Sequence, residues 1–234
     1  MSEMFGALRN NRIFALVYRS IAFILCLIGV LDTTGVFKGT FNGEMLLFYT
    51  TESNVLVVIM FGVLIAKTAI GIRREGTTGP SSYFERLTAI VALAITVTML
   101  GFWLLLAPTF GDPGFLFSYL NLQIHMISAL LMLFDFFFFA APGKLKKQDP
   151  WFFALIPLAY FAQATILGFS GVTYEVLAKD GGPAPRFPYF FINYDESGAL
   201  VFVYVVGMTV FFMGLAYLLL WYDRSRSRRK ARKG

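Results

Sequence analysis

The chain has 234 residues, 57% of them hydrophobic and only 15% charged, with a formal net charge of +6. Soluble domains carry about a quarter charged residues, so the composition excludes a soluble globular protein and predicts an all-α polytopic membrane protein. One cysteine, Cys26, cannot form an intramolecular disulfide, and one histidine, His125, is too little for a zinc site; no metal and no cofactor are expected.

A bilayer span needs about 20 apolar residues. Six stretches qualify: residues 13–32, 46–70, 87–107, 120–141, 151–171 and 199–222. They make one integral membrane domain over residues 1–234, ending in a basic tail from 223. The first stretch follows Arg9 and Arg12 as a signal peptide does, but no small-residue cleavage site follows it, so it reads as a true span. The second opens on Thr50-Thr51-Glu52-Ser53-Asn54. Thr50, Ser53 and Asn54 fall at i, i+3 and i+4 and share a helix face, with Glu52 pointing elsewhere. The fourth carries Asn121, His125, Ser128, Met132 and Asp135 at alternating steps of four and three, on one stripe. In a membrane such a stripe faces the bundle interior or a wet cavity. Pro157 is a candidate kink in the fifth.

The loop from Val172 to Gly198 contains GGPAPRFPYFF and INYDESG. Its aromatic residues Phe187, Tyr189, Phe190 and Phe191 suit either the membrane interface or the cover of an outward-facing cavity. The last span runs into RSRSRRKARKG. Directly after a span, that run reads as a topology anchor touching anionic lipid rather than as a nucleic-acid patch.

Lys and Arg set the orientation. With both termini cytoplasmic, 17 of the 20 lie inside, leaving Lys38, Lys179 and Arg186 outside. The second and fourth spans then both start on the outer side. Thr50 and His125 lie at similar depth, roughly 6–8 Å below the outer boundary at 1.5 Å per residue. Arg19 and Asp135 share a depth nearer the inner side, which suits a buried structural pair.

An ionisable group at bilayer depth is a functional hypothesis by default. The alternatives are plain: Ser, Thr and Asn serve as interhelical hydrogen-bond glue, and His125 can be a packed core residue. There is no phosphate-cradling glycine loop, no G-x-S-x-G elbow, no span-centred Lys for a Schiff base, and no inverted repeat of the transporter kind.

These residues resemble the androgen-induced protein family, which includes the androgen-dependent regulator of tissue factor pathway inhibitor and bacterial-type relatives. The likeness lies in Phe48-Tyr49-Thr50 followed by Ser53-Asn54, in Asn121 with His125 four later and Asp135 ten further on, and in FPYFFIN before the last span. It covers nearly the whole chain. Leu130 stands where the family often has proline, Phe190 replaces the loop's second proline, and Asn193 its acidic residue. Characterised animal members are membrane hydrolases of fatty acid esters of hydroxy fatty acids. The resemblance implies Thr50 as nucleophile and His125 as base, and a lipid-like ester as partner. Ser53, Asn54, Asn121 and Tyr189 are candidates to orient substrate, water or the oxyanion. A bacterial-type member would reside in the cell membrane. Two other readings stay open: a non-enzymatic binder or transporter of a lipid or small molecule with His125 as proton-sensitive site, and a scaffold whose basic tail holds a cytoplasmic partner.

Overall fold

In hydrocarbon, backbone N–H and C=O groups must find partners within their own segment, and an apolar run therefore folds as a helix. Six helices are long and apolar enough to cross a membrane: α1 (Arg12–Thr33), α2 (Tyr49–Glu75), α3 (Glu85–Thr109), α4 (Tyr119–Phe139), α5 (Asp149–Phe169) and α6 (Leu200–Ala231). The protein is a multi-pass integral membrane protein and its fold is an all-α six-helix bundle. The computed structural model describes residues 7–178 and 181–231. Lys179, Arg232 and Lys233 lie outside the described residues, as do the side chains of Arg229 and Lys230.

The helix ends differ from the hydropathy boundaries in two places that matter. α2 starts at Tyr49, because Gly43–Leu47 forms a 3-10 turn and Phe48 is extended at φ −90°, ψ 136°. Thr50 is thus the second residue of its helix, not the fourth or fifth. At the other end, the basic segment after the sixth span continues as helix to Ala231.

α3 is the central helix, with nearly every residue from Thr88 to Thr98 buried. Small side chains such as Ala89, Ala92 and Ala94 let α2, α4 and α5 close around it. α1 buries Ala15, Arg19, Ala22, Cys26 and Gly29, one face at steps of four and three. Apart from Arg19 these residues are small, so α1 and α2 approach closely. Gly29 sits under α4: a Cβ there would come 2.8 Å from Gln123 Cγ.

Charged groups close one end of the bundle. Arg12 donates to the Gly76 carbonyl (2.8 Å) and pairs with Glu75. Arg86 clasps Asp149, and Asp223 accepts the Gly143 and Leu145 amides at 2.9 and 3.0 Å. These contacts gather the start of α1, the α2–α3 and α4–α5 loops and the end of α6, where the Lys and Arg residues concentrate. By the positive-inside rule this is the inner end. Just above it Arg19 and Asp135 form a buried bidentate pair, Nε–Oδ2 2.7 Å and Nη2–Oδ1 3.1 Å. Arg19 also donates to Thr68 Oγ1 and the Ser81 carbonyl, with the Phe139 ring 4.9 Å from its guanidinium.

The outer end is closed by aromatic residues. The loop before α6 carries 3-10 turns at Glu175–Leu177 and Phe190–Ile192 and a short helix at Tyr194–Ser197. Glu44 holds it by accepting the Val176 amide at 3.1 Å. Phe187, only 1% exposed, lies over Gly168, where no larger residue fits: a Cβ would come 2.8 Å from the Arg186 carbonyl.

Candidate functional site

Both helices that carry the candidate pair present it by an irregularity. α2 contributes Thr50 from its first turn. The cap residue Phe48 has no capping side chain, and the first intrahelical backbone bond runs from the Glu52 amide to the Phe48 carbonyl. The amides of Tyr49, Thr50 and Thr51 therefore point outward without intrahelical acceptors.

α4 contributes His125 from a π-helical turn, Gln123–Ile127, set between Tyr119–Leu122 and Ser128–Phe139. Leu130 is not proline, yet the hydrogen bonding of this helix is irregular at the histidine. A π turn widens the helix and exposes carbonyls to side chains, and such turns recur at functional sites. Three carbonyls accept here: Asn121 from His125 Nδ1 (3.2 Å), Gln123 from Ser128 Oγ (3.0 Å) and Ile124 from Asn54 Nδ2 (2.9 Å).

The first of these bonds fixes the imidazole. A carbonyl only accepts, so Nδ1 carries the hydrogen and Nε2 of the neutral ring presents its lone pair. Nε2 lies 3.4 Å from Thr50 Oγ1. The ring is held flat against Phe102, with centroids 3.7 Å apart and planes 18° from parallel. Phe102 begins a second π turn, Phe102–Leu106, in α3. Two π segments thus face each other across the histidine.

The other candidates take different positions. Ser53 donates to the Thr50 carbonyl (3.0 Å) and lies 2.6 Å from Thr98 Oγ1, so its single proton is committed inside the bundle. Asn54 uses both amide hydrogens, on the Thr50 carbonyl (2.7 Å) and the Ile124 carbonyl, and tethers α2 to the π turn of α4. Asn121 holds the histidine through its backbone; its side chain donates instead to the Leu116 carbonyl at 2.8 Å. Tyr189 reaches the site from the outer loop. Its ring stacks on Phe191 at 5.2 Å, and its hydroxyl interacts with the Thr50 side chain and with the Thr50 and Tyr49 backbone. Burial pushes that phenol above its ordinary pKa. Glu52, turned away from Thr50, accepts from Gln163 of α5 at 2.5 Å.

Thr50 opens onto a partly open cavity between α3, α5 and α6, with about 670 Å³ of empty space when the solvent at its mouth is included. Tyr49, Tyr160, Tyr189, Pro157, Met208 and Phe212 are among the residues that line it. Tyr189, Phe191 and Ile192 make part of its wall, so the loop aromatics cover a cavity, one of the two roles their composition allows. His125 is not part of the wall and reaches Thr50 from behind Phe102. The sequence reading missed Phe102, Tyr49, Tyr160 and the α5 and α6 wall; aromatic and aliphatic residues in a span give no signal that separates cavity from lipid. No group of His, Cys, Asp and Glu able to hold a metal ion occurs among the described residues.

The arrangement therefore offers a hydroxyl beside an imidazole lone pair, at a helix start whose Tyr49 and Thr50 backbone meets the Tyr189 hydroxyl, on the edge of an apolar chamber. Comparison with known proteins adds nothing to this: no protein-family model, no curated protein and no solved structure matches the chain.

Proposed function

We propose that the protein is an intramembrane hydrolase of lipid-like esters, with Thr50 as nucleophile and His125 as general base, in keeping with its resemblance to the androgen-induced family. The observation that carries this reading is the 3.4 Å approach of Thr50 Oγ1 to a His125 Nε2 whose tautomer is set by the Asn121 carbonyl. A threonine hydroxyl needs such a base to become a nucleophile, and apo contacts of this length tighten in the reacting complex.

In this mechanism Thr50 Oγ1 attacks the ester carbonyl carbon and its proton passes to Nε2. The tetrahedral intermediate collapses, the C–O bond to the alcohol breaks, and Nε2 returns the proton to the departing oxygen. Water then attacks the threonyl ester as Nε2 takes its proton; the acyl C–Oγ1 bond breaks, Nε2 returns the proton to Thr50 Oγ1, and the acid leaves. The oxyanion falls to the Tyr189 hydroxyl, which already meets the start of α2, rather than to Ser53 or Asn54, whose hydrogens are committed inside the bundle. The apolar chamber suits an acyl chain. A bacterial-type member of the family would do this in the cell membrane.

A second reading, a lipid binder without turnover, draws on the cavity wall: it is almost wholly apolar and aromatic and excludes His125. A fluorophosphonate probe on detergent-purified protein, read by intact mass, separates the two. One adduct on wild type that is lost in both Thr50→Ala and His125→Ala supports the hydrolase. A folded wild type that takes no adduct supports the binder.

A further inference from the structure

Two guanidinium groups meet at the inner end of α4. Arg9 Nη2 donates to the Ala140 carbonyl at 2.6 Å, and Arg226 Nη2 donates to the same oxygen at 3.3 Å. Both side chains are half-buried. Like charges brought together this way need a counter-charge, and none of the ion pairs among the described residues supplies one. The ion pairs among the described residues are Arg12–Glu75, Arg19–Asp135, Arg86–Asp149 and Arg186–Asp195; neither Arg9 nor Arg226 takes part. Asp223, three residues before Arg226, has both oxygens on the Gly143 and Leu145 amides. Burial and then the neighbouring Arg226 charge push the Arg9 pKa down, the mark of a cation without its anion.

The place matters as much as the charge. Ala140 directly follows the Phe136–Phe139 run, so its carbonyl marks the inner edge of the apolar zone, at the depth of the lipid phosphates. The Arg226 guanidinium lies 5.6 Å from the Tyr222 ring, which packs edge-on against Phe137 at 4.9 Å. The Tyr222–Phe137 ring pair, suited to acyl chain and glycerol, thus stands beside a pair of forks. Each guanidinium has five N–H donors, and the shared carbonyl occupies one from each. The remaining donors match phosphate oxygens, which guanidinium binds in pairs.

We propose that Arg9 and Arg226 together hold the phosphodiester of one anionic phospholipid of the inner leaflet, tying the start of α1 to the end of α6 through the lipid. The site is distinct from the Thr50 chamber at the outer end and stands or falls independently of the hydrolase reading.

The test is native mass spectrometry of the full chain released from micelles containing equal phosphatidylglycerol and phosphatidylcholine. Wild type is expected to retain one phosphatidylglycerol. Arg9→Gln and Arg226→Gln are each expected to weaken retention about tenfold, the loss of one charge-assisted contact near the surface. Lys146→Gln, an exposed charge of the same sign, is expected to leave it unchanged. Helical circular dichroism checks that each variant is folded. If one variant does not fold, the wild type alone still decides: equal retention of the two lipids overturns the proposal. So does release of the lipid by millimolar inorganic phosphate, which would mean a free-anion site. Unchanged retention in folded Arg9→Gln and Arg226→Gln overturns it as well.

Discussion

Replacing Asp135 by leucine tests how the inner half of the bundle is held. The carboxylate takes two hydrogens from Arg19, at 2.7 and 3.1 Å, in a site where Arg19 is 1% and Asp135 2% exposed. Without it the guanidinium keeps only Thr68 Oγ1 (2.6 Å) and the Ser81 carbonyl (2.8 Å), both neutral, and the Phe139 face. Water cannot reach the orphaned charge. Removing one partner of a buried pair costs about 3–5 kcal/mol, or roughly two to nearly four orders of magnitude in the folding equilibrium. The double variant Arg19→Met, Asp135→Leu removes the charge with its partner and is expected within about 1 kcal/mol of wild type, because the desolvation penalty disappears with the pair. The assay is equilibrium unfolding in mixed micelles titrated with a denaturing detergent. Labelling at Thr50 in the folded fraction should not change, since Asp135 lies ten residues from His125, about 15 Å along the helix. A single variant that loses less than about 1 kcal/mol, or a double variant as unstable as the single, would refute this account of the pair.

Three further outcomes follow from the site. If Thr50 and His125 act as one unit, Thr50→Ala, His125→Ala and the double variant should lower the hydrolysis rate of a chromogenic acyl ester alike, by about three orders of magnitude or more, with no additivity. Asn54→Ala removes two hydrogen bonds, one to the Thr50 carbonyl within α2 and one that fastens the π turn of α4, and should destabilise the protein by about 1–3 kcal/mol, with a matching drop in probe labelling per folded molecule. In the outer loop, the Arg186 guanidinium holds the Asp195 carboxyl below its usual range. A depressed folded-state value means that the contact is fully present above the ordinary carboxylate pKa and is lost as pH falls through the lower one. Limited proteolysis should therefore cut the loop faster only in strong acid, and at neutral pH in Asp195→Asn.

Much of the architecture is legible from composition and period. Six apolar runs mark six helices, and the Lys and Arg bias matches the end at which Arg12, Arg86, Asp149 and Asp223 close the bundle. The five-residue stripe of α4 is buried throughout, from Asn121 to Asp135. Depth alone suggests that Thr50 and His125 could face each other. The means by which they do so is not legible. A stripe drawn at 3.6 residues per turn assumes an unbroken helix, and the π turn inserts its extra width between Asn121 and Ser128. Consequently Ser128 serves Gln123 rather than the histidine, and Asn121 works through its carbonyl. The start of α2 was hidden for a different reason. Leu46 and Leu47 are as apolar as the helix proper, so hydropathy runs on through a 3-10 turn that only Asn42, Gly43 and the extended Phe48 betray.

The unpaired buried polar atoms of the described residues lie mostly toward the outer half of the molecule. Buried polar groups in native proteins are almost always hydrogen-bonded, and exceptions call for an explanation. At the inner end the Arg19 and Asp135 charges are matched, and Ser81 Oγ and Arg12 Nε are the buried polar atoms left over there among the described residues. Around Thr50 and the outer loop there are more: Thr51 Oγ1, Asn54 Oδ1, Asn121 Oδ1 and the Tyr174 hydroxyl are buried without partners. In a bundle whose helices could have filled these places with leucine, keeping polar atoms idle reduces stability and is useful only if something arrives to engage them. Water for the second half of an ester hydrolysis, or the ester itself, is such a visitor. The inner half, with its charges paired, then acts as the rigid base on which the less satisfied outer half is presented.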